Sequence, residues 1–472
     1  MSTNRNNSTT NLPMMSAREL TDAYAGNQMS PVEVVQAALG RIARIQPVLN
    51  AFCWIDDEAA LEDAKASETR WKNGAPLGPI DGVPTTVKDL ILTRGWPTLR
   101  GSHTVSPNQP WDEDGPAVAR LRESGAVLLG KTTTPEFAFK PVTSSPLTGI
   151  TRNPWDPELT PGGSSGGAGA SVAVGAGTLA LATDAGGSIR IPSSFCGVFG
   201  MKPSGGRVPM HPPTPLASLV GFGPMTRTVD DAARMLTILA RPDPRDSAAL
   251  PFRDVNYHEK LDADPTLWRI AYSPTLGFAR VDPEIAKITA EAAQAFAEMG
   301  AQVEEVTHIM DDQAPLMTRL RKGFTAYAFR HLTDDKFAIM DPAVVEEIRQ
   351  SRGADLNMHF DAELARSDLL RQMIAFHATY DFLLTPTLCI PPFSANLDRP
   401  ESETRYSWTG MCIPFNLTRQ PAASVPCGFT SAGLPVGLQI VGPPRADLAV
   451  LQAARAFEMV HPWKQRRPEL AV

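Results

Sequence analysis

The sequence from Thr160 to Pro203 reads TPGGSSGGAGASVAVGAGTLALATDAGGSIRIPSSFCGVFGMKP, and it contains the strongest fold signal of the chain. Two glycine clusters that each carry serine, at 162–167 and 184–188, flank a run of small residues. Glycine lets other groups approach the main chain closely, so such clusters mark tight turns with accessible N–H groups. The run between them predicts a buried helix and strand over 168–183. A serine nucleophile beside main-chain donors would use this arrangement.

Three other functions of a glycine-rich segment fit these residues less well. A phosphate-binding loop of the form GxxxxGK[ST] needs a lysine that does not follow here, and the GAG at 167–169 lacks the third glycine of a dinucleotide-binding GxGxxG turn. A flexible linker would not contain apolar residues such as Val172 and Leu179. Two interpretations remain from the residues alone: serine-based catalysis, and a purely structural hairpin of small residues.

The composition excludes several classes of function. Of 472 residues, 43% are hydrophobic and 20% are charged, and the net charge of −7 comes without a basic cluster that would bind nucleic acid. The five cysteines are scattered without CxxC pairs, which predicts reduced thiols and no metal site. The apolar run at 172–183 is too short to cross a bilayer, and residues 1–13 lack the apolar core of a signal peptide. We therefore expect a cytoplasmic protein without nucleic acid, membrane, metal or cofactor.

Periodicity and capping signals predict one large α/β domain. SARE at 16–19 and SPVE at 30–33 are capping boxes that each open a helix. Helices then alternate with short apolar strands, which predicts an α/β layer with a largely parallel sheet. No repeat or linker divides the chain, so we expect a disordered polar tail over 1–13 and a single domain over 14–472. The Pro- and Gly-rich segment 207–224 is expected to form a long ordered loop over the site.

The glycine clusters and several further motifs resemble the amidase signature family. GGSSGG at 162–167 and TDAGGSIRIP at 183–192 place Ser164 and Ser188 24 positions apart, as the family pattern expects. The further motifs are GVPTTVKD at 82–89, GKT at 130–132, RNPW at 152–155, CG at 196–197, GMKP at 200–203, VPCG at 425–428 and GLPVGLQ at 433–439. The resemblance covers nearly the whole chain after the polar tail. It implies a single large α/β domain with a mixed central β-sheet flanked by helices on both faces.

The resemblance implies hydrolysis of amide C–N bonds by a serine–serine–lysine relay. Ser188 would attack the amide carbonyl to form an acyl-enzyme, while Ser164, in a cis peptide, would pass the proton to Lys88. The lysine must be neutral, and burial lowers the pKa of an amine that has no carboxylate partner. Because neighbouring side chains on a strand point to opposite faces, we expect Asp89 to point away from Lys88. No histidine motif supports a Ser-His-Asp triad.

The same resemblance assigns roles to the residues around the nucleophile. The oxyanion hole would be formed by the main-chain N–H groups of Ala185, Gly186 and Gly187, with that of Ser188. The supporting positions are Asp184, Arg190, Ser165 and Thr183. The candidates for the substrate pocket are Trp408, Met411 and Phe415.

We expect a cofactor-free amidase that acts on small carboxylic amides, prefers apolar or aryl amides, and cleaves esters as side substrates. The A subunit of the tRNA-dependent amidotransferase typically has an acid for the glutamine amino group, but residues 406–413, ahead of PFNL at 414–417, contain none. That glutamine-hydrolysing subunit is the first alternative, and a non-catalytic binding subunit of the same fold is the second. The expected partner is a small-molecule amide, and a homodimer is one candidate assembly.

Overall fold

The computed structural model describes residues 11–216 and 218–471. Within these ranges the helices are α1 (Ala17–Ala25), α2 (Pro31–Leu49), α3 (Asp57–Lys72), α4 (Pro116–Glu123), α5 (Gly166–Ala173), α6 (Arg190–Cys196), α7 (Val229–Leu239), α8 (Pro283–Glu298), α9 (Ala314–Ala328), α10 (Pro342–Ser351), α11 (Leu356–Phe376), α12 (Pro414–Leu417) and α13 (Asp447–Val460). The strands are β1 (Phe52–Ile55), β2 (Pro84–Lys88), β3 (Val127–Thr132), β4 (Ser144–Ser145), β5 (Gly149–Ile150), β6 (Leu179–Asp184), β7 (Phe199–Lys202), β8 (Gly221–Thr226), β9 (Arg269–Tyr272), β10 (Gln302–Glu305), β11 (Phe382–Pro386), β12 (Ala422–Phe429) and β13 (Pro435–Val441).

The predicted helix starts near the N-terminus are confirmed. Ser16 and Glu19 form both hydrogen bonds of a capping box at the start of α1, and Ser30 and Glu33 do the same for α2, with Pro31 at its first position. Most of the tail expected over 1–13 lies outside the described residues. Its last positions belong to a 3-10 turn over Leu12–Met14, so regular structure begins before Met14.

In the described part of the chain, eleven strands form one mixed sheet in the order β1-β3-β2-β6-β8-β7-β12-β13-β11-β9-β10. The parallel neighbours are β3 with β2, β2 with β6, β11 with β9, and β9 with β10, and the other pairs are antiparallel. The mixed sheet is confirmed, and the largely parallel sheet expected from the helix–strand alternation is wrong. The middle of the sheet includes a tight hairpin between β12 and β13, which needs no crossover helix and so cannot be parallel.

Both faces of the sheet are covered by helices. On β9, Ile270 packs in an apolar cluster with residues of α7, α8 and α13, whereas its neighbour Ala271 packs with residues of α9 and α11. Adjacent strand residues point to opposite faces, so the two clusters lie on opposite sides of the sheet. The single large α/β domain with helices on both faces is therefore confirmed.

The small-residue segment forms the predicted helix and strand. Every residue of α5 is buried, and β6 lies between β2 and β8 in the sheet. A Cβ on Gly167 would lie 2.5 Å from the carbonyl oxygen of Ala51, so only glycine permits this close approach of α5 to the neighbouring chain.

The end of the expected loop over 207–224 is instead strand, because β8 begins at Gly221. A Cβ on Gly223 would lie 2.1 Å from the carbonyl oxygen of Met201, so the glycine is required by the close approach of β7. The glycines and prolines of this segment indicate a loop when only the local sequence is considered. The strand β7, whose close approach requires Gly223, lies outside that local sequence.

Candidate active site

Two neighbouring strands bring the predicted catalytic segments together. β2, which ends at Lys88, pairs in parallel with β6, which ends at Asp184. The carboxyl ends of both strands therefore meet at one edge of the sheet. The loop 185–189 follows β6 there, and the GGSS turn at 162–165 leads into α5 beside it. The Gly163–Ser164 peptide is cis.

The Lys88 amine is buried among hydroxyl groups. Its Nζ lies 2.7 Å from Ser164 Oγ, 2.8 Å from Ser165 Oγ and 3.1 Å from Thr183 Oγ1. No described residue forms an ion pair with it. Burial lowers the pKa of Lys88 well below its usual 10.5, and the more distant charge of Asp184 only partly opposes this effect. The neutral amine that proton transfer requires is thus favoured.

Asp89 has partners of its own, away from Lys88. Its carboxylate lies 3.3 Å from the Lys131 Nζ and accepts hydrogen bonds from the amides of Leu99 and Gly101, each at 3.2 Å. The expectation that Asp89 points away from Lys88 is confirmed. The two side chains point in opposite directions because Asp89 directly follows Lys88, the last residue of β2, and side chains alternate along an extended chain.

Ser188 and Ser164 line the same cavity, together with Thr183. Ser164 is buried and Ser188 is partly exposed to the cavity. The amide of Ser165 donates to the carbonyl of Ser188 at 3.3 Å, which joins the two serine-bearing turns. The Ser165 hydroxyl donates to the carbonyl of Thr183 at 3.2 Å, so its oxygen can accept from Lys88. The structure thus gathers the predicted serines, Thr183 and Lys88 at one place.

The loop before Ser188 presents main-chain N–H groups, although not all of those expected. The Gly187 amide donates to Asp184 Oδ1 at 2.8 Å, so its hydrogen is directed at this carboxylate and not at the cavity. Among the described residues, none accepts a hydrogen bond from the amides of Ala185, Gly186 or Ser188. Ala185, Gly186 and Ser188 also line the cavity.

Asp184 and Arg190 form a fully buried ion pair beneath this loop. Arg190 Nε lies 3.0 Å from Asp184 Oδ2, and the Arg190 Nη2 lies 3.0 Å from Oδ1. Burial alone would raise the pKa of Asp184, but the charge and hydrogen bonds of Arg190 hold it well below 3.8. The pair therefore stays ionised and supports the loop without facing the cavity.

Two further residues, Asn416 and Gln439, support the ion pair, although their motifs gave no indication of this role in the sequence. Arg190 donates to Gln439 Oε1 at 2.7 Å and to Asn416 Oδ1 at 2.6 Å, and the Asn416 amide group donates to Asp184 Oδ1 at 2.9 Å. Asn416 belongs to PFNL and Gln439 to GLPVGLQ. The available signal was a polar residue inside an otherwise apolar segment, because such a residue needs a hydrogen-bond partner once it is buried.

A cavity of about 460 Å³ lies beside Ser164 and Ser188. Its wall is largely apolar, with Leu90, Ile91, Phe137, Phe139, Leu216, Leu219, Val220, Phe222, Met317, Phe324, Phe329 and Ile413 among the lining side chains. A cavity of this size and character suits a small organic ligand.

The three predicted pocket residues do not line this cavity, so that assignment is corrected. Trp408, Met411 and Phe415 are fully buried in the core, and the ring of Trp408 stacks on Phe195 with centroids 6.0 Å apart. The same segment instead presents three other residues to the cavity: Tyr406, Thr409 and Ile413. This segment is a series of turns. Turns have no regular side-chain period like that of a helix or strand, so the sequence does not indicate which side chains face the cavity.

Among the described residues, no group of three or more His, Cys, Asp or Glu side chains could hold a metal ion. None of the helices in the described ranges has the length and apolar character needed to cross a bilayer. The five cysteines are all free thiols.

Comparison with known proteins identifies the family. Residues 33–451 match the family model described as Amidase. The chain is 36% identical over 474 residues to an acylamidase of Rhodococcus erythropolis, covering 97% of this chain and 98% of the relative. It is 33% identical to the A subunit of the glutamyl-tRNA(Gln) amidotransferase of a Cyanothece species, covering 97% of this chain and 100% of the relative. It also superposes on the crystal structure of a bacterial aryl acylamidase of the amidase signature family, with a TM-score of 0.89, 31% identity, and coverage of 96% and 97% of the two chains. The chain therefore belongs to the amidase signature family and is an amide hydrolase.

Proposed function

We propose that Ser188 is the nucleophile of a serine–serine–lysine relay that hydrolyses small carboxylic amides. The observation that carries this proposal is the 2.7 Å contact between Lys88 Nζ and Ser164 Oγ, inside a site where the amine has no ionic partner among the described residues. Burial without an ionic partner lowers the pKa of an amine and favours the neutral form, whose lone pair can accept a proton.

In the first half-reaction, Ser188 Oγ bonds to the amide carbonyl carbon as its proton passes to Ser164 Oγ. The proton of Ser164 moves at the same time to Lys88 Nζ, so the charge created by the attack is held away from solvent. The tetrahedral species collapses with cleavage of the C–N bond, and the proton returns through the relay to the leaving nitrogen. The amine product departs and the acyl group remains on Ser188.

In the second half-reaction, water replaces the nucleophile. Lys88 and Ser164 take a proton from that water as its oxygen bonds to the acyl carbon, and collapse of the second tetrahedral species restores the Ser188 hydroxyl. The carboxylic acid is then released. The same acyl-enzyme can form from an ester, because only the leaving group differs.

The loop around Ser188 would stabilise the developing oxyanion. We assign this stabilisation to the amides of Ala185, Gly186 and Ser188, which have no acceptor among the described residues. Each such donor is worth about 3–4 kcal/mol in the transition state of comparable sites. The Gly187 amide has a different role here, because it holds the Asp184 carboxylate under the loop.

The preferred substrate is an amide with an apolar or aryl group. The apolar wall of the cavity supports this preference, because burial of an aromatic ring there would remove apolar surface from water. The similarity to an acylamidase and to an aryl acylamidase supports the same substrate class. We also propose a cytoplasmic location, which the five free thiols support.

The alternative of a glutamine-hydrolysing amidotransferase subunit has support in the 33% identity to one such protein. Its substrate carries an ammonium group, for which a carboxylate is the natural partner. No Asp or Glu among the described residues lines the cavity, which favours the amidase. A non-catalytic subunit would have no use for the buried Lys88 network.

A serine-directed fluorophosphonate tests the assignment. The wild-type protein should gain one label, detected by intact mass, and lose hydrolysis of para-nitroacetanilide in parallel, whereas Ser188→Ala should show neither label nor turnover. Ser171→Ala is the matched control, because the Ser171 hydroxyl lies in α5 and donates only to the Ala168 carbonyl. Labelling of the Ser188→Ala protein would refute the nucleophile, and release of ammonia from glutamine by the wild type would restore the alternative.

A further inference from the structure

The charged side chains on the cavity wall are all cationic in the described part of the chain. The lining lysine and arginine residues are Arg100, Lys140, Arg321, Arg330 and Arg405. No described Asp or Glu residue lines the cavity. A wall with one sign of charge favours a ligand of the opposite sign, provided that a cation is free to bind it.

Four of these five cations already have partners within the protein. The pairs are Lys140 with Asp341 at 2.6 Å, Arg321 and Arg405 both with Glu347, and Arg330 with the carbonyl of Tyr327 at 2.7 Å. Arg330 also lies over the Tyr327 ring, 3.8 Å from its centroid. Carboxylates already neutralise Lys140, Arg321 and Arg405, and Arg330 is exposed to solvent, so these four groups gain little from an added anion.

Arg100 is different. Among the described residues, none forms a hydrogen bond or an ion pair with its guanidinium. The carboxylate with an electrostatic effect on it is that of Asp89, whose oxygens are already used by Lys131 and by two backbone amides. Burial lowers the pKa of Arg100, and the charge of Asp89 only partly opposes this effect, so this partly buried cation would gain from a hydrogen-bonded anion.

The backbone around Arg100 is held on both sides. The amides of Leu99 and Gly101 each donate to Asp89 at 3.2 Å, and the Arg100 carbonyl accepts from the Phe137 amide at 2.8 Å. Arg100 has a φ of +56°, a conformation that is costly for a residue with a side chain. These contacts fix where the side chain enters the cavity. Because Asp89 directly follows Lys88, they also attach the backbone around Arg100 to the end of the strand that carries Lys88.

We propose that Arg100 binds a carboxylate of the substrate, so that the enzyme acts on amides that carry an acidic group apart from the scissile bond. This inference rests on the proposed function, because it concerns the same cavity. A guanidinium presents two parallel N–H groups that match a carboxylate. The class includes monoamides of dicarboxylic acids and carboxyanilides, but not zwitterionic amino acid amides, because the described wall has no carboxylate for an ammonium group.

Matched substrate pairs test the proposal. One pair is monoglutaryl para-nitroanilide with its neutral counterpart, pentanoyl para-nitroanilide, and the other is para-nitroacetanilide with and without a ring carboxylate. The wild type should have the higher kcat/KM for the acidic member of at least one pair. Arg100→Gln should lower that value by about 10- to 100-fold, the usual effect of losing a charge-assisted hydrogen bond, and leave the neutral member nearly unchanged. Arg100→Lys should restore part of the loss.

Arg330→Gln is the control for a general loss of positive charge, because Arg330 lines the same cavity but has its own partner. It should leave the ratio between acidic and neutral substrates unchanged. An equal loss for both members in Arg100→Gln would overturn the proposal, as would a wild-type preference for the neutral member in both pairs.

A binding measurement separates this proposal from the catalytic one. In the Ser188→Ala background, calorimetry with monoglutaryl para-nitroanilide should show binding that weakens about 10- to 100-fold when Arg100→Gln is added. Equal binding by the two proteins would overturn the role of Arg100. Turnover by the Ser188→Ala protein would instead refute the nucleophile, and the binding comparison would still decide the role of Arg100.

Discussion

Lys88 and Asp89 are adjacent in sequence, yet their charged groups contact separate sets of partners. The Lys88 amine contacts the hydroxyl groups of Ser164, Ser165 and Thr183, while the Asp89 carboxylate pairs with Lys131 at 3.3 Å. The acid that follows Lys88 therefore has a second buried lysine, Lys131, as its ionic partner, whereas Lys88 has no ionic partner among the described residues. The base of the proposed relay depends on this separation.

Replacing Lys88 by Met should lower kcat by about 10²–10⁴-fold, because the relay loses its proton acceptor. In the wild type, kcat/KM should fall as pH falls through the lowered pKa of Lys88, since a protonated amine cannot accept the proton. The pH–rate profile of the two proteins checks both points, with circular dichroism to confirm the fold. A Met variant with a near-normal rate, or with the same acidic limb, contradicts the assignment of the base.

Replacing Asp184 by Asn should destabilise the protein by about 3–5 kcal/mol at neutral pH, because Arg190 would be left buried without its counter-ion. The folded-state pKa of Asp184 lies below its unfolded value, so its contribution is present above pH 3.8 and is lost as pH falls further. Urea unfolding at several pH values measures this effect. The difference from wild type should shrink in acid, and a difference that stays constant would argue against an ionised pair.

The corrected pocket assignment predicts opposite effects for two nearby aromatic residues. Trp408→Ala should cost about 3–5 kcal/mol of stability, because it leaves a cavity in the core. Tyr406→Ala should change KM with little effect on the melting temperature, since Tyr406 is only partly buried and lines the cavity. Thermal unfolding and steady-state kinetics on both variants give the comparison. The reverse pattern would restore Trp408 as a pocket residue.

Lys202 should make the free energy of unfolding depend on pH. Burial, with the nearby charge of Arg190, lowers its pKa from 10.5 to about 7, and its amine donates to the carbonyls of Pro203 and Gln420. Between pH 7 and 10.5 the unfolded chain binds more protons at this residue than the folded one, so stability rises with pH.

The matched variant for this effect is Lys202→Met, which has no titrating group. The stability of wild type relative to this variant should increase by up to about 1.4 kcal/mol per pH unit across that window. Guanidinium unfolding at pH 7, 8 and 9 provides the values. Parallel stability curves for the two proteins would mean that Lys202 keeps its proton in the folded state.

The sequence predicted best those features that depend on near neighbours. The capping boxes at Ser16 and Ser30 need only residues three positions away, and both helices begin where expected. The serine-bearing turns are also visible as short runs of specific residue types, whereas the role of Lys88 came from the resemblance of GVPTTVKD to the lysine motif of the family. Strand alternation alone was enough to separate Asp89 from Lys88.

Features that depend on how the chain bends in three dimensions were not predictable in the same way, whether the contact is near or distant in sequence. The Gly187 amide was expected in the oxyanion hole, but the Asp184 side chain bends back to accept its hydrogen bond, which is a matter of local three-dimensional geometry. Trp408 was expected in the pocket, but turns decide which side of the segment faces inward. The start of β8 at Gly221 depends on how closely β7 approaches, and nothing in the local pattern describes that neighbour.

The contacts of Arg190 have a consequence for the order in which the enzyme becomes active. The guanidinium under the nucleophile loop binds the Cys412 carbonyl, Asn416 and Gln439, which follow Arg190 in the chain by 222, 226 and 249 residues. A polypeptide emerging from the ribosome exposes Ser188 long before it has made these partners, so the loop lacks its support until the chain has been synthesised through Gln439. Chains that end before Gln439 should therefore be poor hydrolases, and amide hydrolysis should begin only after β12 and β13 have joined the sheet.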